Sequence, residues 1–479
     1  MMVDIVLINP RGKFELAEEL NFISPPLGLA YLASVLRREG YKVKIIDAMA
    51  ERLDIGEVIR RLKDCFLVGI TATTPLFKRS IEYAREIKRI FPEKFVLLGG
   101  VHVTYKPLEG LRVCDAVCIG EGEETIVEVA RRVEEEKSLE GVKGIYWKKE
   151  DKIIKNRCRE PIYDLDSIPF PAFDLLPLDR YSFMERKLEE FPMITSRGCP
   201  FSCLYCVSSK FFGRKYRCRS PENVVEEMKW LEEDFKARHV AFSDDTFTLI
   251  KRRVERICEE LRKERVEVTW SCASRADTID RELARVMRRA GCTKIYFGVE
   301  SASEEVLRFY RKKLDLKTVE KAIRICKEEG IETVCSFIIG SPYESEEEMM
   351  RTLKLAIKLD PDYAQFSILT PYPGTELYEI AEKENLLITK NYEDYTAGKP
   401  VMRNIYLSPE RIKDLLNFCY TKFYARPKYL IKMISSKNFR LAYSILKRLL
   451  LPKNVFSQSI AEKIGAVIVI IFQILYALS

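Results

Sequence analysis

The chain has 479 residues and a formal net charge of +8, with 14 Cys but only 2 His. A composition that is 47% hydrophobic and 32% charged excludes a disordered or fibrous protein, and the length predicts two or three domains. Two histidines exclude a His-rich metal site, so cysteine must supply most ligands of any bound metal. The N-terminus lacks the layout of a signal peptide. We therefore expect a cytoplasmic protein whose cysteines are thiols or metal ligands.

Residues 1–140 alternate between strand and helix patterns. Five apolar runs rich in β-branched residues predict strands, and amphipathic stretches between them predict helices. The strands are predicted at 4–9, 42–47, 68–73, 95–100 and 116–120, and the helices at 27–39, 55–62, 77–90 and 124–135. This α/β order predicts a Rossmann-like, doubly wound parallel sheet, which binds ligands beyond the carboxyl ends of its strands.

Residues 141–190 form a predicted β-hairpin followed by a proline-rich linker. The alternation then resumes over residues 191–385 with six further strand and helix pairs. The strands are predicted at 193–196, 240–243, 268–273, 294–299, 333–339 and 364–369, each followed by a helical pattern. Six such units predict a partial (β/α)6 barrel of the TIM type, with its chemistry on the loops after the strands. The last region, 386–479, is predicted to be helical and basic.

The positive charge is concentrated at the C-terminus. Residues 421–479 carry ten Lys and Arg against one acid, so this segment has a net charge of +9 and the other 420 residues sum to −1. We therefore expect no nucleic-acid partner. Residues 464–479 contain no charge, and basic amphipathic stretches at 429–434 and 439–451 precede them. This pattern predicts peripheral binding to the inner membrane face; the alternative is a helical cap packed on the barrel.

The strongest functional pattern is Arg197-Gly-Cys199-Pro-Phe-Ser-Cys203-Leu-Tyr-Cys206. Three thiols within eight residues follow the first barrel strand. Three cysteines can hold a 4Fe-4S cluster and leave one iron open to another ligand, whereas structural zinc requires four ligands. We interpret the other eleven cysteines as mostly ordinary core thiols.

The C-x3-C-x2-C spacing, with Tyr205 before the third cysteine, resembles the signature of radical S-adenosylmethionine (radical SAM) enzymes. The resemblance implies that the open iron binds SAM, that Cys199, Cys203 and Cys206 are essential, and that reductive cleavage yields a 5′-deoxyadenosyl radical. It also implies a reductant protein such as ferredoxin or flavodoxin. Later strand ends match the same family. The matching residues are Asp244 and Asp245 for the SAM amino group, Arg275 for its carboxylate, Glu300 and Ser301 for the ribose, and Gly340 beside the adenine.

The N-terminal sheet resembles the cobalamin-binding domain of cobalamin-dependent radical SAM enzymes. The resemblance rests on glycines and hydroxyl-bearing residues after successive strands. The implied cobalamin contacts are Gly28, Thr71, Thr73, Thr74, Gly99, Gly100, His102, Gly120, Glu121 and Gly122. One departure is that the turn at Asp47–Glu51 has no His where related methyltransferase domains have a cobalt ligand. We expect His102 to have a structural role. The alternative is a scaffold that binds no cofactor.

The overall layout, including Pro371-Tyr-Pro-Gly374-Thr, resembles the branch that contains anaerobic magnesium-protoporphyrin monomethyl ester cyclase and hopanoid-related enzymes. The resemblance implies methylation or oxidative cyclisation of an unactivated carbon in a hydrophobic, lipid or tetrapyrrole-like substrate. Two alternatives remain open. One is a cobalamin- or redox-sensing iron-sulfur protein, and the other is a methylthiotransferase-like enzyme, which would need three more clustered cysteines near the N-terminus.

Overall fold

The computed structural model describes residues 3–12, 23–150, 152–183, 186–187, 190–426 and 428–429. Residues Met1–Ile412 form one compact unit and Lys413–Ser479 a second. The predicted apolar run at 464–479 and the amphipathic stretch at 439–451 lie outside the described residues, as does all of 429–434 except Tyr429. No helix in the described part of the chain is long and apolar enough to cross a membrane.

The first sheet has seven strands in the order β2-β1-β3-β4-β5-β6-β7. The parallel strands are β1 (Ile5–Asn9), β2 (Val43–Asp47), β3 (Leu67–Thr71), β4 (Phe95–Gly99) and β5 (Ala116–Cys118), and the antiparallel hairpin is β6 (Ile145–Lys149) and β7 (Lys152–Lys155). Their helices are α1 (Leu27–Arg38), α2 (Ile55–Arg60), α3 (Phe77–Ile90), α4 (Val101–Tyr105), α5 (Pro107–Gly110) and α6 (Glu123–Glu134). The strand order reverses between β1 and β3, which confirms the predicted doubly wound sheet.

The local sequence explains these elements. The first four residues of β1 are buried whichever face they occupy, as expected of a parallel strand covered by helices on both sides. Helix α2 begins at a capping box in which Asp54 and Glu57 each bond the other's backbone N–H. On α3 the buried residues are Phe77, Ser80, Tyr83, Ala84 and Ile87, at the spacing of three or four expected of a helix with one face on the core.

The segment between the two sheets packs against both. Tyr181 is fully buried, and its hydroxyl donates a 2.9 Å hydrogen bond to Asp47 at the end of β2. Phe173 is also fully buried, with its ring 5.2 Å from that of Phe191 and 6.3 Å from that of Trp230. The proline-rich segment therefore shares core contacts with both halves of the unit.

There are two short antiparallel pairs. The first, β8 (Ser182–Phe183) with β9 (Arg186–Lys187), precedes the second sheet, and the other, β11 (Ser196–Arg197) with β12 (Arg217–Cys218), lies in the chain between strands β10 and β13 of that sheet. The second sheet has six parallel strands in the order β10-β13-β14-β15-β16-β17. The strands are β10 (Glu190–Met193), β13 (His239–Phe242), β14 (Thr269–Ser274), β15 (Cys292–Glu300), β16 (Glu332–Ile339) and β17 (Tyr363–Ile368). The helices are α7 (Ser208–Phe211), α8 (Pro221–Phe235), α9 (Lys251–Lys263), α10 (Arg281–Arg289), α11 (Glu304–Phe309), α12 (Leu316–Glu328), α13 (Glu346–Leu359), α14 (Glu376–Lys383) and α15 (Pro409–Tyr424). This arrangement confirms the predicted partial barrel.

Two details differ from the sequence-based expectation. The first barrel strand lies three residues earlier than predicted, because the backbone N–H of Thr195 donates to the Asp244 carboxylate and not to a neighbouring strand. Residues 386–408 are mostly irregular, and the predicted C-terminal helix begins only at Pro409. Within this stretch Tyr395 and Val401 pack into a small core with Tyr378, at a spacing that does not match one helical face.

Candidate functional site

The cysteine loop lies at the carboxyl end of the barrel, between β11 and α7. Cys199, Cys203 and Cys206 are free thiols and are partly exposed. Strand β12 pairs with β11 and closes the loop at its base. Gly198 sits there in the left-handed region, with φ +90, and a Cβ would collide with the backbone carbonyl of Lys215. Only glycine allows the chain to cross at this point.

The three cysteines suit a cluster better than a disulfide or a zinc site. Burial raises the pKa of Cys199, and the charge of Asp245 adds to this. Burial also raises the pKa of Cys203, although the cation of Lys312 partly opposes it. A bound metal would displace these protons. In the described ranges no three His, Cys, Asp or Glu side chains converge as they would around a single ion. A cubane instead presents separate irons to separate cysteines.

The two acidic residues after β13 differ in their surroundings. Asp244 is buried and accepts hydrogen bonds from the Thr195 N–H at 2.7 Å and from the hydroxyls of Thr195 and Ser196 at 2.5 Å each. Asp245 is exposed. The Asp244 carboxylate thus fastens the base of the cysteine loop. The more exposed Asp245 has Ser208 as a hydrogen-bond partner, and partial burial of its carboxyl raises its pKa.

Arg275 lies directly against the cysteine loop. Its guanidinium is 3.8 Å from the ring centroid of Phe201, which stands between the first two cysteines. It also donates to both oxygens of Asp277, at 3.0 and 2.7 Å, and to the carbonyl of Lys313 at 2.7 Å. This buried cation is therefore held in one orientation at the mouth of the barrel.

Glu300 ends β15 in an uncommon backbone conformation, with φ +68. Its carboxylate forms a 2.9 Å ion pair with Lys312, and both side chains are under 10% exposed. The ion pair occupies the space where residue 298 would place a Cβ, which explains the glycine there. Burial and the charge of Glu300 raise the pKa of Tyr205 well above its usual value. Ser301 is buried, and its hydroxyl lies 3.2 Å from that of Thr352.

The remaining barrel residue predicted from the sequence, Gly340, follows β16 with φ +79. A Cβ there would lie 3.0 Å from Ile412. The structure thus brings the predicted SAM-contact residues to the carboxyl edge of one sheet, as the order of strands requires.

The predicted cobalamin contacts lie mostly at the carboxyl edge of the first sheet. They end or follow β3 (Thr71, Thr73, Thr74), β4 (Gly99, Gly100, His102) and β5 (Gly120, Glu121, Gly122), and Gly28 is exposed in the first turn of α1. Gly100 has φ +115, and a Cβ there would lie 2.9 Å from the carbonyl oxygen of Ala72. These turns line the edge where the strand order reverses.

His102 is completely buried in an aromatic cluster. Its ring stacks on Phe77 at 3.9 Å and meets Tyr392 edge-on at 4.5 Å. Its Nδ1 lies 3.3 Å from the hydroxyl of Thr74, and its Nε2 lies 3.9 Å from the carboxylate of Glu109. Burial lowers the pKa of His102, so the ring is neutral at pH 7. The histidine joins the first sheet to the segment after the barrel.

A buried charge bridge connects the turn after β5 to the β11–β12 pair beside the cysteine loop, and sequence reasoning did not identify it. Arg197, just before the cysteine loop, donates to Glu123 at 2.5 Å and lies 3.6 Å from Glu121. Arg217 on β12 contacts Glu121 at 2.5 Å. All four side chains are at most 10% exposed. Acids in a glycine turn and arginines beside a cysteine loop were the only sequence signal.

Comparison with known sequences gives two family matches. The Radical SAM superfamily matches residues 193–356, and the B12 binding domain matches residues 16–130. A Pyrococcus horikoshii protein described as an uncharacterized methyltransferase is 41% identical over 90% of this chain and 95% of its own length. The anaerobic magnesium-protoporphyrin IX monomethyl ester cyclase of Rubrivivax gelatinosus is 29% identical over 85% of this chain and 75% of its own.

Among solved structures, the cobalamin-dependent S-adenosylmethionine radical enzyme OxsB, with aqua-cobalamin and S-adenosylmethionine bound, superposes with a TM-score of 0.73. It shares 19% sequence identity, with 94% of this chain and 71% of that chain covered. The shared architecture agrees with a doubly wound parallel sheet followed by a partial barrel. The resemblance drawn from the sequence is therefore confirmed.

The charge bridge gives a stability prediction. Replacing Arg197 by Met leaves the Glu123 carboxylate buried without its cation, so the free energy of unfolding should fall by about 3–5 kcal/mol. Urea titration of the wild type and the variant measures this. The control is Arg37→Met, which breaks a 2.7 Å pair with Asp174 whose side chains are about half exposed. That loss should be about 0–1 kcal/mol. Equal losses in the two variants would contradict the assignment.

Proposed function

The chain belongs to the radical SAM superfamily, in the branch that carries a B12-binding domain, and we propose that it is a cobalamin-dependent methyltransferase or cyclase. The observation that carries the proposal is the cysteine loop fastened by a buried charge bridge to a glycine turn of the B12-binding sheet. When bound, the cluster would supply reductive cleavage of SAM, and cobalamin would supply a methyl group or an electron sink. A small electron-transfer protein such as ferredoxin or flavodoxin would serve as reductant.

In this proposal Cys199, Cys203 and Cys206 hold the 4Fe-4S cluster. Three free thiols in one loop leave a fourth iron without a cysteine from that loop. The protonated state of Cys199 and Cys203 makes cluster assembly release protons, so loading is favoured as pH rises. The other cysteines are poor candidates for a second cluster. Cys65 and Cys114 donate hydrogen bonds to backbone carbonyls, and burial raises the pKa of Cys65, Cys114 and Cys118. This is typical of ordinary core thiols and argues against the methylthiotransferase alternative.

Around the fourth iron, the polar residues have distinct proposed roles. Asp245, which is exposed and has Ser208 as a hydrogen-bond partner, is the better candidate for the SAM ammonium group than the fully bonded Asp244. Arg275 supplies a fixed cation for the SAM carboxylate. Glu300 and Ser301 approach the ribose, Tyr205 supports Glu300, and Gly340 leaves room beside the adenine.

The crevice at the carboxyl edge of the first sheet would hold cobalamin. Gly99, Gly100 and Gly120 let the backbone approach the corrin and its tail, and Thr71 and Thr73 supply hydroxyls. Glu121 is engaged by Arg217 and Arg197, so its proposed role is to fix the turn that carries Gly120 and Gly122. Thr74 and His102 are buried below this edge, and their proposed role is to support it through the aromatic cluster. Gly28 opens α1 at the same edge.

Anaerobic reconstitution tests the cluster. Cys203→Ala should abolish the iron-sulfur absorbance and reduce 5′-deoxyadenosine formation from SAM and dithionite to background. The reason is that a 4Fe-4S cluster with one open iron needs all three cysteine ligands. Cys218→Ala is the matched control, since Cys218 is equally free and partly exposed on β12 but outside the loop. A wild type that binds iron yet releases no 5′-deoxyadenosine with candidate substrates present would favour the sensing alternative.

The crevice can be tested by filling it. Thr73 is exposed after β3 at the carboxyl edge, so Thr73→Trp should raise the dissociation constant for hydroxocobalamin about tenfold or more. Visible absorption titration measures it. Glu93→Trp adds the same bulk at an exposed position before β4, on the opposite edge, and should bind as the wild type does. Equal affinity in all three proteins would favour the cofactor-free scaffold.

We also propose that the basic C-terminal segment binds an anionic membrane surface and brings the enzyme to a hydrophobic substrate. The support is its charge of +9 together with sixteen uncharged residues at the end. The full chain should float with liposomes containing phosphatidylglycerol, more weakly at high salt, and a chain ending after Tyr429 should not. Liposomes of phosphatidylcholine alone are the control. If the truncated chain still floats, the result would favour the alternative that the C-terminal segment is a helical cap packed on the barrel.

A further inference from the structure

The segment that follows the third cysteine is strongly basic. Residues 207–219 contain five Lys and Arg and no Asp or Glu. Two of these cations, Arg217 and Arg219, are buried and paired with carboxylates. The other three are exposed; they are Lys210, Arg214 and Lys215. Of these, Lys210 lies 3.2 Å from the carboxylate of Glu379. The remaining positive charge reaches the surface beside the cysteine loop.

Arg214 and Lys215 have no such partner. The ammonium of Lys215 lies over the ring of Tyr163, 4.5 Å from its centroid, and Tyr163 is 55% exposed. Neither cation forms an ion pair with any residue that the structure describes. Asp164 follows Tyr163 in the chain, but its carboxylate accepts a backbone hydrogen bond within its own turn. The charges of Arg214 and Lys215 are therefore presented to solvent.

The turn that carries these cations is in direct contact with the first cysteine. The backbone N–H of Cys199 donates to the carbonyl of Gly213 at 3.2 Å. The buried guanidinium of Arg217 donates to the carbonyl of Phe212 at 2.9 Å, which fixes the turn. Phe211 and Phe212 are partly exposed, and their rings meet edge-on with centroids 4.9 Å apart. One hydrogen bond thus connects this exposed turn to a proposed cluster ligand.

Aromatic and basic side chains therefore lie together at the surface next to the cysteine loop. We call Tyr163, Phe211, Phe212, Arg214 and Lys215 the docking patch. We propose that the docking patch binds the acidic surface of the electron-transfer protein that reduces the cluster. The inference rests on the proposed function, because it assigns the entry of the electron that the reaction needs. One electron would pass from the partner to the cluster, so the partner is oxidised and the cluster reduced, with no bond formed or broken.

Charge and position together favour this partner. Complementary charges steer two proteins together and discriminate against wrong partners. Complexes between redox partners bury little surface, under about 1,200 Å² in total, so a small patch suffices. An electron donor must come close to the cluster, and the patch adjoins Cys199. The C-terminal segment of this chain is a poor occupant, because residues 421–479 carry a net charge of +9 and the patch is also basic.

Binding of electron-transfer proteins to the cluster-loaded full chain tests the patch. Flavodoxin and plant-type ferredoxin are the acidic probes, and cytochrome c is the basic one, which should not bind. In Arg214→Gln/Lys215→Gln the dissociation constant of the acidic probes should rise about tenfold and depend less on salt. Cluster reduction by limiting reduced flavodoxin should slow by a similar factor, whereas reduction by dithionite should be unchanged. Surface plasmon resonance and anaerobic stopped-flow absorption measure the two effects.

Two further double variants separate the patch from net charge. Arg288→Gln/Arg289→Gln removes the same two charges at exposed positions that end α10, just before β15 and so at the opposite edge of the barrel sheet. It should bind the acidic probes as the wild type does. Arg214→Lys/Lys215→Arg keeps both charges and should retain binding.

Flavodoxin affinity that is indifferent to the patch, or no binding of either acidic probe to the wild type, would overturn the proposal. Equal losses in the patch variant and the α10 variant would attribute the effect to net charge and would also overturn it. If the patch variant lost binding to anionic liposomes while flavodoxin binding persisted, the patch would belong to a membrane contact and the proposal would fail.

Release of 5′-deoxyadenosine with dithionite as reductant is measured separately in the wild type. If that product fails to form while patch-dependent flavodoxin binding persists, the proposed reaction fails and the docking site stands. If the product forms while flavodoxin binding is indifferent to the patch, the docking site fails and the proposed reaction stands.

Discussion

The organisation of the site depends on one buried electrostatic interaction, the charge bridge from Arg197 and Arg217 to Glu121 and Glu123. Charges removed from water are costly unless opposite charges compensate them at short range. The turn after β5 and the base of the cysteine loop must therefore stay together for either to remain buried. This fixes the spacing between the two places where the chemistry is proposed to occur, although they lie in different sheets.

Other contacts also hold the base of the cysteine loop in place. Gly198 allows the chain to cross beneath the loop, and Asp244 binds Thr195 and Ser196 on its other side. The loop is thus held at its base by backbone geometry, by a carboxylate and by a guanidinium. Support of this kind restricts the positions that the three cysteine side chains of the loop can adopt. The Asp245 side chain lies on the exposed side, beside Ser208.

The sequence predicted the elements well, because apolar periodicity and strand-end glycines are local signals. The parallel order and the cysteine loop follow from such signals. The role of Asp244 could not be predicted, because its partners lie 48 and 49 positions away and compete with the expected ligand. The ion pair between Arg197 and Glu123 could not be predicted for the same reason, because 74 positions separate the donor from the acceptor. Irregular chain at 386–408 escaped prediction because its aromatic residues pack without a helical period.

The raised pKa values of Cys199 and Cys203 also affect the life of the protein before metal loading. Oxidants react with thiolates far faster than with thiols. Because Cys199 and Cys203 keep their protons at neutral pH, these two thiols are slow to form disulfides or sulfenic acids. The burial that raises these two pKa values therefore also slows oxidation of Cys199 and Cys203 in the chain that has not yet bound a metal.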